Sequence, residues 1–137
     1  MSQRRIENLD RLQRTLARMP QRVRNAAGRA AFEVADSMVA QMKFIAPRDD
    51  TPDGDEKLVD HIYMEEGEIG DVCYVVISDA RDSEGRPKAP RVELGHMAAD
   101  GTQVPAEPYF YPVVRTNRVR GRRRIASAIS RELRKPS

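Results

Sequence analysis

A long helical periodicity between residues 20 and 45 constrains the fold of this chain more than any other feature. Small and apolar side chains recur three or four positions apart, the period of one helix face, at Val23, Ala26, Ala27, Ala30, Ala31, Val34, Ala35, Met38 and Met42. So many alanines permit close approach, and we expect this helix to lie against a sheet or a neighbouring subunit. Ala46-Pro47 should end it, because the residue before a proline is pushed out of the helical region.

Two further helices are predicted, one before the long helix and one in the last part of the sequence. The first is amphipathic, with apolar residues three or four apart, at Ile6, Leu9, Leu12, Leu16 and Met19. Pro20 interrupts it and is well placed as the first residue of the long helix. The last helix should run from Pro112 onward with a basic outer face, on the apolar positions Val113, Val114, Val119, Ile125, Ala126, Ile129 and Leu133.

The middle of the chain favours strands and loops. Residues 72–78 are rich in β-branched side chains and predict a strand. Residues 92–94 are read as a further short strand, and residues 58–64 as a helical turn or a strand. The segment from Val104 to Pro112 holds three prolines and three aromatics, which should keep it extended and anchored. The predicted fold class is α+β, with the N-terminal helices and the C-terminal helix packed on a small antiparallel β-sheet.

Length and composition predict one domain, residues 1–137. The chain is 39% hydrophobic but only 5% aromatic, so aliphatic side chains must supply most of the core. Four regions are expected within it: a helical region (1–46), an acidic loop with a short element (47–71), strands and the Pro/aromatic segment (72–112), and a basic C-terminal helix (113–137). No apolar run suits a membrane span or a secretory signal, so we expect a protein made in the cytosol and no membrane partner.

The net charge of +3 conceals three opposed blocks of charge. Residues 1–48 hold 10 basic and 4 acidic side chains, residues 49–112 hold 5 and 16, and residues 113–137 hold 9 and 1. Twenty of the 24 cations are Arg, which pairs in bidentate fashion with carboxylate or phosphate. Acidic protein surfaces are therefore as plausible partners as nucleic acid.

Three patterns suggest chemistry, and each is incomplete. Residues 49–60 have the length of a calcium loop, but lack an acid at the third position and the bidentate Glu at the last. The same loop contains Pro-Asp and acid-x-Lys at a spacing too short for a nuclease magnesium site. Cys73 has only His61 and His96 as possible bases, and a Cys in a β-branched strand is usually a small buried hydrophobe. We therefore expect no enzyme, no metal site and no cofactor.

Four short motifs in a fixed order resemble the neck proteins of long-tailed bacteriophages, known as putative tail components or head-tail joining proteins. They are Ala-Pro with a nearby Asp and Gly, then Leu and Ile, then Val-Glu-x-Gly, and finally Pro-Ala-x-Pro-aromatic with a later Pro. The residues that carry them are Ala46, Pro47, Asp49, Gly54, Leu58, Ile62, Val92, Glu93, Gly95, Pro105, Pro108, Tyr109, Phe110 and Pro112. The loop after Ala-Pro is longer and more acidic than usual in the family, and Leu94 stands where an aromatic is common.

The resemblance implies a structural virion protein of the phage neck, a head-tail connector found in the host cytoplasm during assembly. It would form a six-fold or twelve-fold homo-oligomeric ring around the DNA channel, between head-closure and tail-terminator or tail-tube proteins. Genomic DNA would pass through without sequence-specific binding.

The subunit interface is expected where the charges are densest. On the basic side these are Arg115, Arg118, Arg120, Arg122, Arg123 and Arg124, and on the acidic side Asp49, Asp50, Asp53 and Asp55. Two other interpretations of the Arg run stay open: a solvated helix face, and contact with nucleic-acid phosphates. The alternative function is accordingly a small basic nucleic-acid-binding protein.

Overall fold

The computed structural model describes residues 10–15, 17–48, 54–68 and 70–136. Residues 10–15 and 17–18 are helical and are called α1. The other elements, in chain order, are α2 (Gln21–Ile45), a 3-10 turn (Leu58–His61), β1 (Ile62–Gly67), β2 (Gly70–Ser78), α3 (Ala89–Leu94), β3 (His96–Met97), β4 (Gln103–Val104) and α4 (Tyr111–Arg134). The α+β class is confirmed.

Helix α2 begins and ends close to the predicted positions. Pro20 is the N-cap rather than the first helical residue, and its carbonyl accepts hydrogen bonds from the backbone N–H of Val23 and Arg24, both at 3.0 Å. Ala46 is the C-cap, with an extended ψ of 136°, as expected for a residue that precedes proline.

Helices α2 and α4 pack antiparallel along their whole length. Near one end the amide of Asn117 donates to Gln41 Oε1 at 2.9 Å, and near the other Arg22 contacts the Lys135 carbonyl. Between them the helices come close at Gly121, where a Cβ atom would stand 2.7 Å from Val34 Cγ1. Gly121 therefore sets the spacing of the two helices.

The hairpin β1–β2 packs on a different face of α2. Its strands are antiparallel, with Ile62 opposite Ser78 and Tyr63 opposite Ile77, and with an irregularity between Glu66 and Gly67. The inner side contacts α2, where the ring of Tyr74 meets that of Phe32 edge to face at 5.6 Å. A second pair, β3–β4, is separate from this sheet.

The core lies where these elements meet the start of α4. Its buried residues are Met42, Ala46, Leu58, Ile62, Ala80, Tyr109 and Val113. Five of them (Ala46, Leu58, Ile62, Tyr109, Val113) come from the Ala-Pro segment, the Leu/Ile pair and the region around the Pro/aromatic motif. The core is thus built from parts of the chain up to 71 residues apart in sequence, from Met42 to Val113.

Two expectations about the middle of the chain were wrong. Residues 92–94 are not a strand but the end of α3, which starts at Ala89 with Pro90 in its first turn, a position where proline's fixed φ suits a helix. Residues 65–71 were expected as an acidic link within the 47–71 region, but 65–67 belong to β1 and 70–71 to β2. Pairing with β2 overrides the poor strand propensity of glutamate there.

Candidate functional site

A buried carboxylate joins α3 to the start of α4. Glu93 is only 7% exposed, and its two oxygens accept hydrogen bonds from three successive backbone N–H groups, those of Tyr109 (2.9 Å), Phe110 (3.1 Å) and Tyr111 (2.9 Å). The first N–H groups of a helix have no partner within it and favour negative charge. The Glu93 carboxylate provides both the hydrogen-bond acceptors and the negative charge. We call this arrangement the Glu93 joint.

Gly95 allows the chain to turn immediately after the joint. Its φ is +77°, a region that disfavours side chains. A Cβ atom here would stand 2.8 Å from the Val104 carbonyl oxygen and 2.9 Å from the Ala106 nitrogen. The Val-Glu-x-Gly and Pro-Ala-x-Pro motifs therefore meet in space, with Gly95 against one end of the second motif and Glu93 against the other.

The hydroxyl of Tyr109 extends the joint into the hairpin. Tyr109 is fully buried, and its hydroxyl lies 2.6 Å from Ser78 Oγ at the end of β2. Burial raises the pKa of the Tyr109 phenol, because the phenolate would lose its hydration. The motif that looked like an anchor in the sequence is thus bound to both α3 and β2.

A second buried carboxylate, Asp82, holds the 79–88 turn to α3. Its oxygens accept from the backbone N–H groups of Glu84 (2.9 Å) and Arg86 (2.8 Å), from Arg86 Nε (2.9 Å) and from Arg91 Nη2 (2.6 Å). These hydrogen bonds, led by that from the Arg86 backbone, lower the pKa of Asp82 to about 2. Sequence reasoning missed Asp82; the signal was an Asp followed by Gly85 and Arg86 in a short turn.

The acidic half of the predicted interface divides into two groups. Asp49, Asp50 and Asp53 lie outside the described residues. Asp55 is engaged within the subunit, because it accepts from the Ser83 backbone N–H at 2.8 Å and lies 3.7 Å from Lys88 Nζ. The arrangement makes Asp55 part of the internal packing of the loop.

The arginines of α4 also divide into two groups. Arg124 reaches across to α2 and pairs with Glu33. Within the parts of the chain that the structure describes, no salt bridge is formed by Arg115, Arg118, Arg120, Arg122 or Arg123, all of which are exposed.

Unpaired arginines and exposed apolar side chains share the outer side of α4. The side that packs inward carries Val113, Asn117 and Gly121. Spacings of three, four and seven residues keep side chains on one face of a helix, so the opposite side carries Arg115, Val119, Arg122, Ala126 and Leu133, flanked by Arg118 and Arg123. We call these seven residues the Arg face. Val119 is 54% exposed and Leu133 is 59% exposed.

The outer side of the hairpin combines apolar residues with glutamates. Alternation along the strands places on it Tyr63, Glu65, Cys73, Val75 and Ile77, with the exposed Glu68 in the turn. We call these six residues the hairpin face. Val75 is 45% exposed and Tyr63 is 37% exposed. Among the described residues, the two glutamates of this face form no salt bridge.

The Cys/His pair considered from the sequence is not formed with His61. His61 lies before β1, with Nε2 2.8 Å from Glu56 Oε2 and Nδ1 3.4 Å from Asp79 Oδ1. Asp79 follows Cys73 by six residues along the extended β2 segment, a distance of about 20 Å. At the near end of β2, the Sγ atom of Cys73 packs against Gly67.

Within the described ranges, no group of three or more His, Cys, Asp or Glu side chains is arranged to hold a metal ion, although the first five residues of the calcium-like loop lie outside these ranges. No helix in the same ranges is long and apolar enough to cross a membrane. A shallow groove of about 400 Å³ between α2 and α4 is lined by Ala26, Ala30 and Ala128, with Glu33 and Arg124 at its edge.

Comparison with known proteins adds no named relative to these observations. No protein-family model matches the chain, and neither curated proteins nor solved structures give a match.

Proposed function

We propose that this chain is a structural virion protein of the phage neck, a head-tail connector subunit that assembles as a ring around the DNA channel. The role is structural and not catalytic. Its partners would be copies of itself, the neighbouring head-closure, tail-terminator or tail-tube proteins, and DNA that passes through without sequence-specific contact.

The observation that carries the proposal is the convergence of the family-like motifs on the Glu93 joint. Residues of all four motifs, among them Ala46, Leu58, Glu93 and Tyr109, lie in this joint or in the core beside it. Their shared effect is to fix the start of a long basic helix. A set of motifs that positions a helix, with its charged outer side unpaired, suits a subunit that works by binding other subunits.

The charge layout gives independent support. Exposed surface ion pairs contribute little to folding, so unpaired arginines on α4 are of little use to the isolated chain. They would stabilise a contact in which a neighbour supplies carboxylates or phosphates and part of the water is excluded. Acidic surface elsewhere on the subunit would repel DNA and keep it from adhering in a channel.

The direct test is the protein content of purified particles. Mass spectrometry of intact virions should find the chain at a fixed ratio of six or twelve copies per particle, and gold-labelled antibody should mark the head-tail junction. Particles that lack the chain, or that carry it in variable amounts, would overturn the proposal.

One observation favours the alternative of a small basic nucleic-acid-binding protein, namely that Arg115, Arg118, Arg120, Arg122 and Arg123 of α4 form no salt bridge within the described part of the subunit. That function predicts binding to duplex DNA whose affinity falls steeply between about 50 and 200 mM salt, with a slope set by the number of phosphates contacted. Reversing the charge of Arg118, Arg122 and Arg123 would then abolish DNA binding. If the wild-type chain binds no DNA at the lower salt concentration, this alternative is excluded.

A further inference from the structure

The structure points to a specific contact between subunits: we infer that the Arg face of one copy binds the hairpin face of the next. This inference rests on the proposed ring and names the two surfaces that would form it. It also replaces the acidic loop around Asp55 with the hairpin as the acidic partner, since Asp55 is bound to Ser83 and Lys88 within its own subunit.

The two faces are complementary in charge. The Arg face presents four arginines and the hairpin face two glutamates, and within the described ranges none of the six forms a salt bridge. A neighbour would pair charges that the subunit leaves unpaired. Such complementarity gives an interface its orientation and suppresses wrong partners.

The faces are also complementary in apolar surface and in size. Val119, Ala126 and Leu133 form an apolar stripe about 21 Å long at 1.5 Å per residue. The six residues of β1 extend over about 20 Å, beside Val75 and Ile77 of β2. An apolar centre with charged residues around it is the usual composition of a protein interface.

Their placement decides the symmetry. Helix α2 contacts α4 through Val34 and Gln41 and contacts the hairpin through Phe32, so the two faces lie on elements that flank α2 on different sides. A contact between two different surfaces is heterologous and runs head to tail. Repetition of that contact with a closing rotation gives a ring, whereas a two-fold dimer would need one surface that matches itself.

Two full-length variants and a control test the contact. One variant carries Arg118→Glu, Arg122→Glu and Arg123→Glu; the other carries Glu65→Lys and Glu68→Lys. The control carries Arg11→Glu, Arg14→Glu and Arg18→Glu on α1, which changes the net charge by the same amount as the first variant. Circular dichroism establishes that each variant keeps the wild-type helix content.

The expected results follow from which faces still match. Each variant alone has two faces of like charge and should assemble about a hundredfold more weakly than wild type. Mixed in equal amounts, each variant's altered face meets the other's, so native mass spectrometry should show rings with equal numbers of both variants. The control should assemble as wild type does.

Four outcomes would overturn the contact. They are variants that form rings unaided, a folded pair whose mixture stays monomeric, a control that loses assembly equally, and a wild-type chain that is monomeric at every concentration. Failure of the proposed function is seen separately, since rings that depend on both faces but are absent from virions would refute the neck and keep the contact.

Discussion

Charged residues have opposite environments in the Glu93 joint and on the Arg face of α4. In the Glu93 joint, a carboxylate is buried and all its hydrogen bonds are to backbone N–H groups of the same chain. On the Arg face, a few turns further along α4, the guanidinium groups are exposed and find no carboxylate in the described part of the subunit. The Glu93 carboxylate is therefore satisfied within the fold, whereas the Arg face is left available for the association proposed above.

The largest loss of stability should follow removal of the Glu93 carboxylate. Glu93→Ala leaves three backbone N–H groups without their acceptor at a buried site, which should cost about 4 kcal/mol of unfolding free energy. Glu93→Gln keeps the shape and one acceptor oxygen and should cost about half as much. Urea titration gives both values from the shift in midpoint at constant slope.

Glu107→Gln is the matched control for Glu93, because Glu107 is an exposed glutamate in the adjoining segment. We expect a change of less than about 0.5 kcal/mol there. Equal losses at the two positions would show that Glu93 acts through general charge rather than through the joint.

Gly95→Ala should be nearly as damaging. The added Cβ meets two backbone atoms at less than 3 Å on top of an unfavourable φ, and we expect a loss of about 3 kcal/mol. Gly85→Ala separates the two causes, since Gly85 has a similar φ of +79° but no atom within 4 Å of the added Cβ. It should lose only about 1 kcal/mol. Thermal or urea unfolding that gave equal losses would remove the close-approach argument.

Gly121→Ala tests the close contact between α2 and the inner side of α4, opposite the Arg face. The gain in helix propensity is offset by collision with the stiff Val34 side chain, for a net loss of about 1 kcal/mol. In a Val34→Ala background the collision is gone, so the same substitution should stabilise the protein. A double-mutant cycle measured by urea unfolding checks this reversal of sign; a loss of equal size in both backgrounds would contradict it.

The contribution of Asp82 to stability is present at neutral pH and is lost in acid. The folded pKa of Asp82, about 2, is below the unfolded value of about 3.9, so its hydrogen bonds stabilise the fold fully above about pH 4 and progressively less as pH falls towards 2. Asp82→Asn should therefore be less stable than wild type at pH 7, with the difference shrinking through that window. A difference that stays constant in urea titrations across the window would contradict the role of the Asp82 charge.

Local patterns predicted the two long helices and the principal strand but not the contacts between them. The apolar period located α2 and α4, and Pro47 fixed the end of α2, because these depend on neighbours in sequence. Residues 92–94 were misread as a strand because three apolar or acidic residues carry no period. Pro90, which precedes them, was the missed helix signal.

The joint itself could not be read from spacing. Glu93 and Tyr109 are sixteen residues apart, and only the turn at Gly95 and the β3–β4 pair bring them together. The resemblance identified both motifs, but it did not predict that Glu93 of one motif accepts hydrogen bonds from the backbone of the other. Charge density predicted a subunit interface at the acidic loop, but it does not reveal that Asp55 accepts a hydrogen bond within its own subunit.

The most direct measurement of the contrast between joint and Arg face is the unfolding midpoint as a function of protein concentration. Association stabilises the folded state by mass action, so the wild-type midpoint should rise with concentration. Glu93→Gln should lower the midpoint at every concentration, but the midpoint should still rise with concentration. Charge reversal of Arg118, Arg122 and Arg123 should abolish this rise, and it should leave the free energy of unfolding at the lowest protein concentration within about 0.5 kcal/mol of wild type. A wild-type midpoint independent of concentration, or a rise that survives reversal of the Arg face, would contradict the account.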